Sequence, residues 1–146
     1  MIKVTAGQTI YEVKEGTTLA EFAKQLQKQE EPVILLAYMD GKLTELFAQI
    51  KKDCHVRFVT LKEQAGYMAY KRTATFMFLK ACEDFLGKGK STKIAIDYSI
   101  GNSIFCDFSS IDQTVDDKFA HSIQKRMEQL YEADLPITKR SLDTDQ

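Results

Sequence analysis

The chain has 146 residues, 44% hydrophobic and 28% charged, the balance of an ordinary globular protein with one domain or two small ones. Its formal net charge of −1 and pI near 6.1 exclude a global attraction to nucleic acid or to an anionic membrane, so any such contact must use a local patch. No apolar run approaches the ~18 residues of a membrane span, and the start, MIKVTAGQTIYEVKEG, lacks the continuous apolar core of a secretory signal.

MIKVTA and TIYEVKEG alternate well enough to form a strand pair that turns at Gly7. Thr18 and Glu21 make the T-x-x-E of a capping box, which satisfies the first free N–H groups of a helix. Leu19, Phe22, Ala23 and Leu26 then recur at i, i+3, i+4, i+7, one apolar helix face. EEPVILLAYMDGKLTEL reads as two strands around Asp40-Gly41, both of which tolerate the positive φ of a tight hairpin turn. CHVRFVTL is the closing strand. The helix opening GTTLAEFAKQL, the hairpin LLAYMDGKLTEL, the polar connector ending in Lys51-Lys52-Asp53 and the strand ending at Thr60 together resemble the TGS domain, a ubiquitin-like β-grasp module, over residues 1–61. The resemblance implies ligand or RNA binding and regulation rather than catalysis. It fits several hosts: threonyl-tRNA synthetases, some GTPases, enzymes of the stringent response and a class of bacterial nucleoside kinases.

Residues 62–72, KEQAGYMAYKR, read as a linker punctuated by Gly66. A helix is expected from Lys71 to Leu86, apolar on most sides and therefore buried on most sides. Strands follow at Lys93 to Ser99 and Ser103 to Ser109, with Gly101-Asn102 supplying the turn between them. A last helix is expected from about Thr114, with Asp116 and Asp117 in its first turn, near the positive end of its dipole. Val115, Phe119, Ile123, Met127 and Leu130 form its core stripe; Lys118, His121, Gln124, Lys125 and Glu128 form its polar face. Pro136 bars continuation. The expected fold class is α+β, with a β-grasp domain at 1–61, the linker, and a small α/β segment at 73–146 that is truncated at its C-terminal end.

KRTATFMFLKACEDFL, the basic loop after it and the two strands resemble the second additional domain of threonyl-tRNA synthetases, which edits mischarged tRNA. In that family the helix carries H-x-x-x-H. This chain has Arg72 and Phe76 at the matching positions, and neither can act as a neutral imidazole base or a metal ligand. The lead-in Tyr70-Lys71-Arg72, the serine-isoleucine-glycine-asparagine turn and the ADLPI exit resemble more closely the TGS-containing bacterial uridine kinases. There a TGS domain and an editing-like segment precede a P-loop nucleoside kinase. This second resemblance implies a non-catalytic, ligand- or RNA-binding regulatory region of a cytoplasmic kinase, open to oligomerisation and partnered by the kinase domain beyond Gln146. ATP and Mg²⁺ would belong to that domain, and no cofactor to this region. The alternative is the TGS and editing region of a threonyl-tRNA synthetase that hydrolyses Ser-tRNA. A third reading is a protein-interaction module that holds a kinase in an oligomer.

Other chemistry is scarce, and no catalytic or metal-binding residue is assigned. GKGKST, Gly87 to Thr92, looks like the end of a P-loop, but the required first glycine is Asp84 and the loop follows a helix instead of opening one. It reads as a helix C-cap and loop. Cys54, Cys82 and Cys106 form no C-x-x-C pair, which suits a reducing compartment; Cys82 and Cys106 read as buried small hydrophobes. Cys54 and His55 are strand neighbours and point to opposite faces, so they do not chelate together. His121 reads as solvated, and Asp97 and Asp107 as a solvated strand face. The candidate phosphate- or RNA-binding residues are Lys71, Arg72, Lys88, Lys90 and Lys93, with Tyr67 and Tyr70 as stacking partners for a base. The plain reading of the same residues is a solvated rim.

Overall fold

A computed structural model describes residues 1–28, 31–101 and 103–138, apart from the side chains at 98 and 100. It divides into two compact units, Met1–Thr73 and Ala74–Gln146.

The first unit is a five-stranded mixed sheet with one helix against it, a β-grasp-like arrangement. β1 (Ile2–Ala6) and β2 (Thr9–Val13) are antiparallel, as are β3 (Ile34–Met39) and β4 (Lys42–Glu45). β5 (Cys54–Thr60) lies between the hairpins, parallel to β1 and antiparallel to β3, giving the order β2-β1-β5-β3-β4. α1 (Leu19–Leu26) starts at the expected capping box: Glu21 N–H donates to the Thr18 hydroxyl at 3.2 Å, and Thr18 N–H donates to the Glu21 carboxylate at 2.8 Å. Its apolar face buries Leu19 and Phe22 against Val4, Val13, Ala37, Ile50 and Val56. The Phe22 ring is fully buried, edge-on to Tyr11 at 5.4 Å and tilted to Phe58 at 5.7 Å. Such burial contributes about 1.5–3 kcal/mol per large apolar side chain. Asp40 (φ 51°) and Gly41 (φ 79°) make the expected hairpin turn. Asp40 also ties that turn to β5, because its carboxylate accepts the His55 N–H at 2.8 Å.

α2 spans Gln64–Leu86. It begins seven residues before the expected Lys71, so most of the stretch read as a linker at 62–72 is its first turns. Gly66 is not linker punctuation. A Cβ there would lie 2.0 Å from the Thr60 carbonyl oxygen, so only glycine lets the helix start this close to the end of β5.

The second unit holds the rest of α2, a 3₁₀ turn at Ser91–Lys93, the antiparallel pair β6 (Ala95–Ile100) and β7 (Ser103–Asp107), and α3 (Asp117–Glu132). Lys93 therefore sits in the turn before β6 and not in the strand. Its core is Ala81, Cys82, Ile94, Ile111, Phe119 and Ile123. α2 is not buried on most sides as its composition suggested: Phe76 is 57% exposed and Phe85 47%. In this unit the described partners are one two-stranded hairpin and one helix, too little surface to cover it. Cys106 is half-buried where burial was expected. Asp116 caps α3 by accepting the Phe119 N–H at 2.8 Å, so Val115 precedes the helix and is 54% exposed instead of joining the core stripe. Across the two helices, Asp84 accepts Arg126 Nε and Nη2 at 2.9 and 2.8 Å and also pairs with Lys80. Asn102 of the expected turn lies outside the described residues.

Candidate nucleic-acid interface

The basic loop is built from the end of α2 outward. Gly87, at φ 102°, ends the helix while its N–H still donates to the Glu83 carbonyl at 2.9 Å. The chain then folds back over Glu83. The Glu83 carboxylate accepts the Ser91 N–H at 2.8 Å and also the Gly89 N–H. These are the backbone donors that a glycine loop of this kind would turn toward a phosphate. They are occupied by an anion that the chain itself supplies. The Ser91 hydroxyl and N–H, and then the Gly89 N–H, hold the Glu83 carboxyl below its ordinary range.

With the Gly89 and Ser91 amides taken, what the loop presents to an anion is chiefly its lysines. Lys88 and Lys93 are exposed and Lys90 is half-buried. None of the three has an acidic partner among the described residues. Lys71 and Arg72 lie instead in the part of α2 that belongs to the first unit, so the five cations fall into two sets, one on each unit. Tyr67, Tyr70 and Lys71, at i, i+3, i+4, share one face of the helix, while Arg72 turns away from it. Tyr70 is 53% exposed and Tyr67 half-buried. The Arg72 guanidinium folds back toward the Met68 carbonyl, with Nε at 3.4 Å.

Arg72 and Phe76 both reach solvent. The two histidines of the chain lie elsewhere, His55 on β5 and His121 on the exposed side of α3. Among the described residues no group of three or more His, Cys, Asp or Glu side chains is placed to hold a metal. Asp107 is engaged by the N–H and hydroxyl of Ser109 at 2.7 and 2.9 Å, a local turn cap that lowers its carboxyl pKa. All three thiols are pushed up by burial, Cys82 to about 11. No described helix is long and apolar enough to cross a membrane.

Sequence reasoning missed Glu83. The available signal was a carboxylate one helical turn before a glycine-rich loop. It also missed Arg126 and Phe85, whose roles depend on α2 and α3 packing together.

Fold and site thus define a β-grasp-like module followed by a small α/β module with an exposed basic loop. No protein-family model matches the chain. The chain is similar to the threonine–tRNA ligase of Symbiobacterium thermophilum, 26% identical over 138 residues, which cover 94% of this chain and 21% of that protein. The threonine–tRNA ligase of Natranaerobius thermophilus is 22% identical over 147 residues, covering 100% of this chain and 22% of that protein. The threonine–tRNA ligase of Thermotoga maritima is 26% identical over 135 residues, covering 92% and 20%. The chain spans about a fifth of the length of these relatives. They are ligases, and the nucleoside-kinase parent expected from the second resemblance finds no support among them.

Proposed function

We propose that this chain is a threonine–tRNA-ligase-like region, a TGS-like module and an editing-like module, that binds RNA and does not hydrolyse mischarged tRNA. The loss of hydrolysis follows from the side chains on α2. The helix that carries two imidazoles in the resembled family carries Arg72 and Phe76 here, a permanent cation and a hydrocarbon. The kept function is binding. The observation that carries it is the loop at Gly87 to Lys93, whose Gly89 and Ser91 amides are filled by Glu83 while Lys88, Lys90 and Lys93 have no acidic partner among the described residues. Three ammonium groups within six residues meet a phosphate backbone as point charges. On the first unit, the exposed Tyr70 offers a ring on which a base can stack.

The test is the salt dependence of tRNA binding by the whole chain. Each neutralised phosphate releases counterions, so engagement of about 3 phosphates of a single strand gives a log–log slope near −2, at ~0.7 per phosphate. The double charge reversal Lys88→Glu with Lys90→Glu flattens the slope. Tyr70→Ala lowers affinity by ~1–3 kcal/mol without changing it, if a base stacks there. With a net charge of −1, no background attraction imitates the effect. Affinity that is absent at low salt, or that ignores the lysine reversal, removes the RNA-binding reading.

A further inference from the structure

Within the second unit, Asp84 and Phe85 of α2 and Ser122, Lys125, Arg126 and Gln129 of α3 line an open groove of about 400 Å³. That size lies within the ~300–1,000 Å³ of small-molecule sites. Its lining makes it more than a gap between helices. Phe85 leaves nearly half its surface in solvent yet is held from behind by the buried Phe119 ring, edge-on at 5.6 Å and 77°. The aromatic face is therefore pre-positioned. Arg126 is fixed as well: Nε and Nη2 on the Asp84 carboxylate, Nη1 on Gln129 Oε1 at 3.1 Å. That last contact uses the Gln129 oxygen, and its NH₂ has no acceptor among the described residues. Ser122 gives its hydroxyl hydrogen to the Lys118 carbonyl at 2.8 Å, leaving its oxygen as an acceptor. Lys125 is exposed and has no acidic partner among the described residues. Asp84 is answered by both Lys80 and Arg126, so its charge does not repel an incoming anion.

We infer that this groove seats one unpaired nucleotide of a single-stranded RNA segment, with the base against Phe85 and its phosphate at Lys125. The inference rests on the RNA-binding reading above and adds a place where that RNA is gripped by a base. The aromatic face is sequence-tolerant, because every base has a π-face. The amide donor and hydroxyl acceptor offer hydrogen bonds to a base edge. A base within a duplex has its faces covered by its neighbours, so only a splayed-out base fits. Nothing in this set belongs to the basic loop, so the two contacts can be separated by mutation.

The experiment uses the whole chain, a fluorescent hexaadenylate as the single-stranded probe and an RNA duplex as competitor, each across a salt series. Phe85→Leu keeps an apolar group against Phe119 and removes the π-face. It weakens hexaadenylate binding about 5- to 150-fold, the equivalent of ~1–3 kcal/mol for one stacked base, and leaves the salt slope unchanged. Lys125→Glu weakens binding and reduces the slope by about 0.7. The duplex competes poorly, and its own binding is indifferent to Phe85→Leu. If the Lys88 and Lys90 reversal weakens binding while Phe85→Leu and Lys125→Glu do not, the groove is overturned and the basic loop stands. If hexaadenylate and duplex fail to bind at low salt, both readings fall. If Phe85→Leu does not fold, as judged by circular dichroism, Lys125→Glu on the exposed side of α3 decides alone: an unchanged slope overturns the seat.

Discussion

Ser91 donates its backbone N–H to the Glu83 carboxylate at 2.8 Å, closing the glycine loop over an internal anion. The hydroxyl and N–H of Ser91 and the N–H of Gly89 lower the Glu83 pKa below its ordinary 4.5. A carboxyl lowered by folding contributes stability that is fully present above the unfolded pKa and lost as pH falls through the folded pKa. The Gly89 and Ser91 amide resonances should titrate together, with a midpoint below pH 4.5. Glu83→Gln should abolish that titration. A midpoint at or above 4.5 would show that the carboxylate does not hold the loop.

The same contact predicts the response to nucleotides. Because Glu83 fills the amides and the loop follows a helix, the chain should not bind ATP with Mg²⁺ at micromolar affinity. Calorimetric titration should give no binding heat. Saturable binding that Lys90→Ala removes would make the loop a phosphate cradle after all.

Gly66→Ala should destabilise the first unit. Alanine favours a helix by up to ~1 kcal/mol over glycine. Its Cβ, however, would lie 2.0 Å from a backbone oxygen that has no rotamer by which to move away. Overpacking of this kind costs about 1–3 kcal/mol, so the clash should win. Urea unfolding should show a lower midpoint at unchanged m. A raised midpoint would mean that the start of α2 shifts at little cost.

Cys82 should be the most protected thiol. Burial, and then the neighbouring Cys106, raise its pKa to about 11, so at pH 8 about one molecule in a thousand carries the thiolate. Mass spectrometry after brief treatment with a disulfide-exchange reagent should find the half-buried Cys106 modified ahead of Cys82. Cys82 should react only as fast as the chain unfolds. Prompt labelling of Cys82 in the native protein would contradict its placement in the core.

Ser-tRNA should survive incubation with the chain at the rate seen in buffer, since α2 offers no imidazole. Turnover above buffer that Arg72→Ala abolishes would show that a guanidinium here supports hydrolysis by some other route.

The first unit was legible because its signals are local. The Thr18–Glu21 box, the Asp40-Gly41 turn and the strand alternation each act within a few residues, and each stands where the sequence put it. The start of α2 was not legible. A glycine in a run of Tyr, Met and Ala argues for a break unless one knows that the Thr60 carbonyl stands against it. Val115 fitted the helical spacing of the core stripe, but the Asp116 side chain caps one residue later and leaves it outside. Apolar content could not say which faces of α2 lack cover: Phe76 is 57% exposed, and Phe85 is 47% exposed although its ring meets the buried Phe119. In the candidate interface, Lys88, Lys90 and Lys93 share a loop because they are neighbours in sequence. That Lys71 and Arg72 belong to the other unit follows from where the units divide, which no local pattern encodes.

The central strand of the five is the last of them to be made. β5 joins β1 on one side and β3 on the other, with Val4 facing Cys54 across the parallel pair. During synthesis, β1–β2 and β3–β4 leave the ribosome as two separate hairpins, each marginal alone. Only when Thr60 clears the exit tunnel can one sheet close, and α1 then finds the surface it covers. A ribosome stalled before that point therefore displays two exposed apolar faces, and the nascent chain is at its most vulnerable to chaperones and proteases in the few residues before β5 emerges.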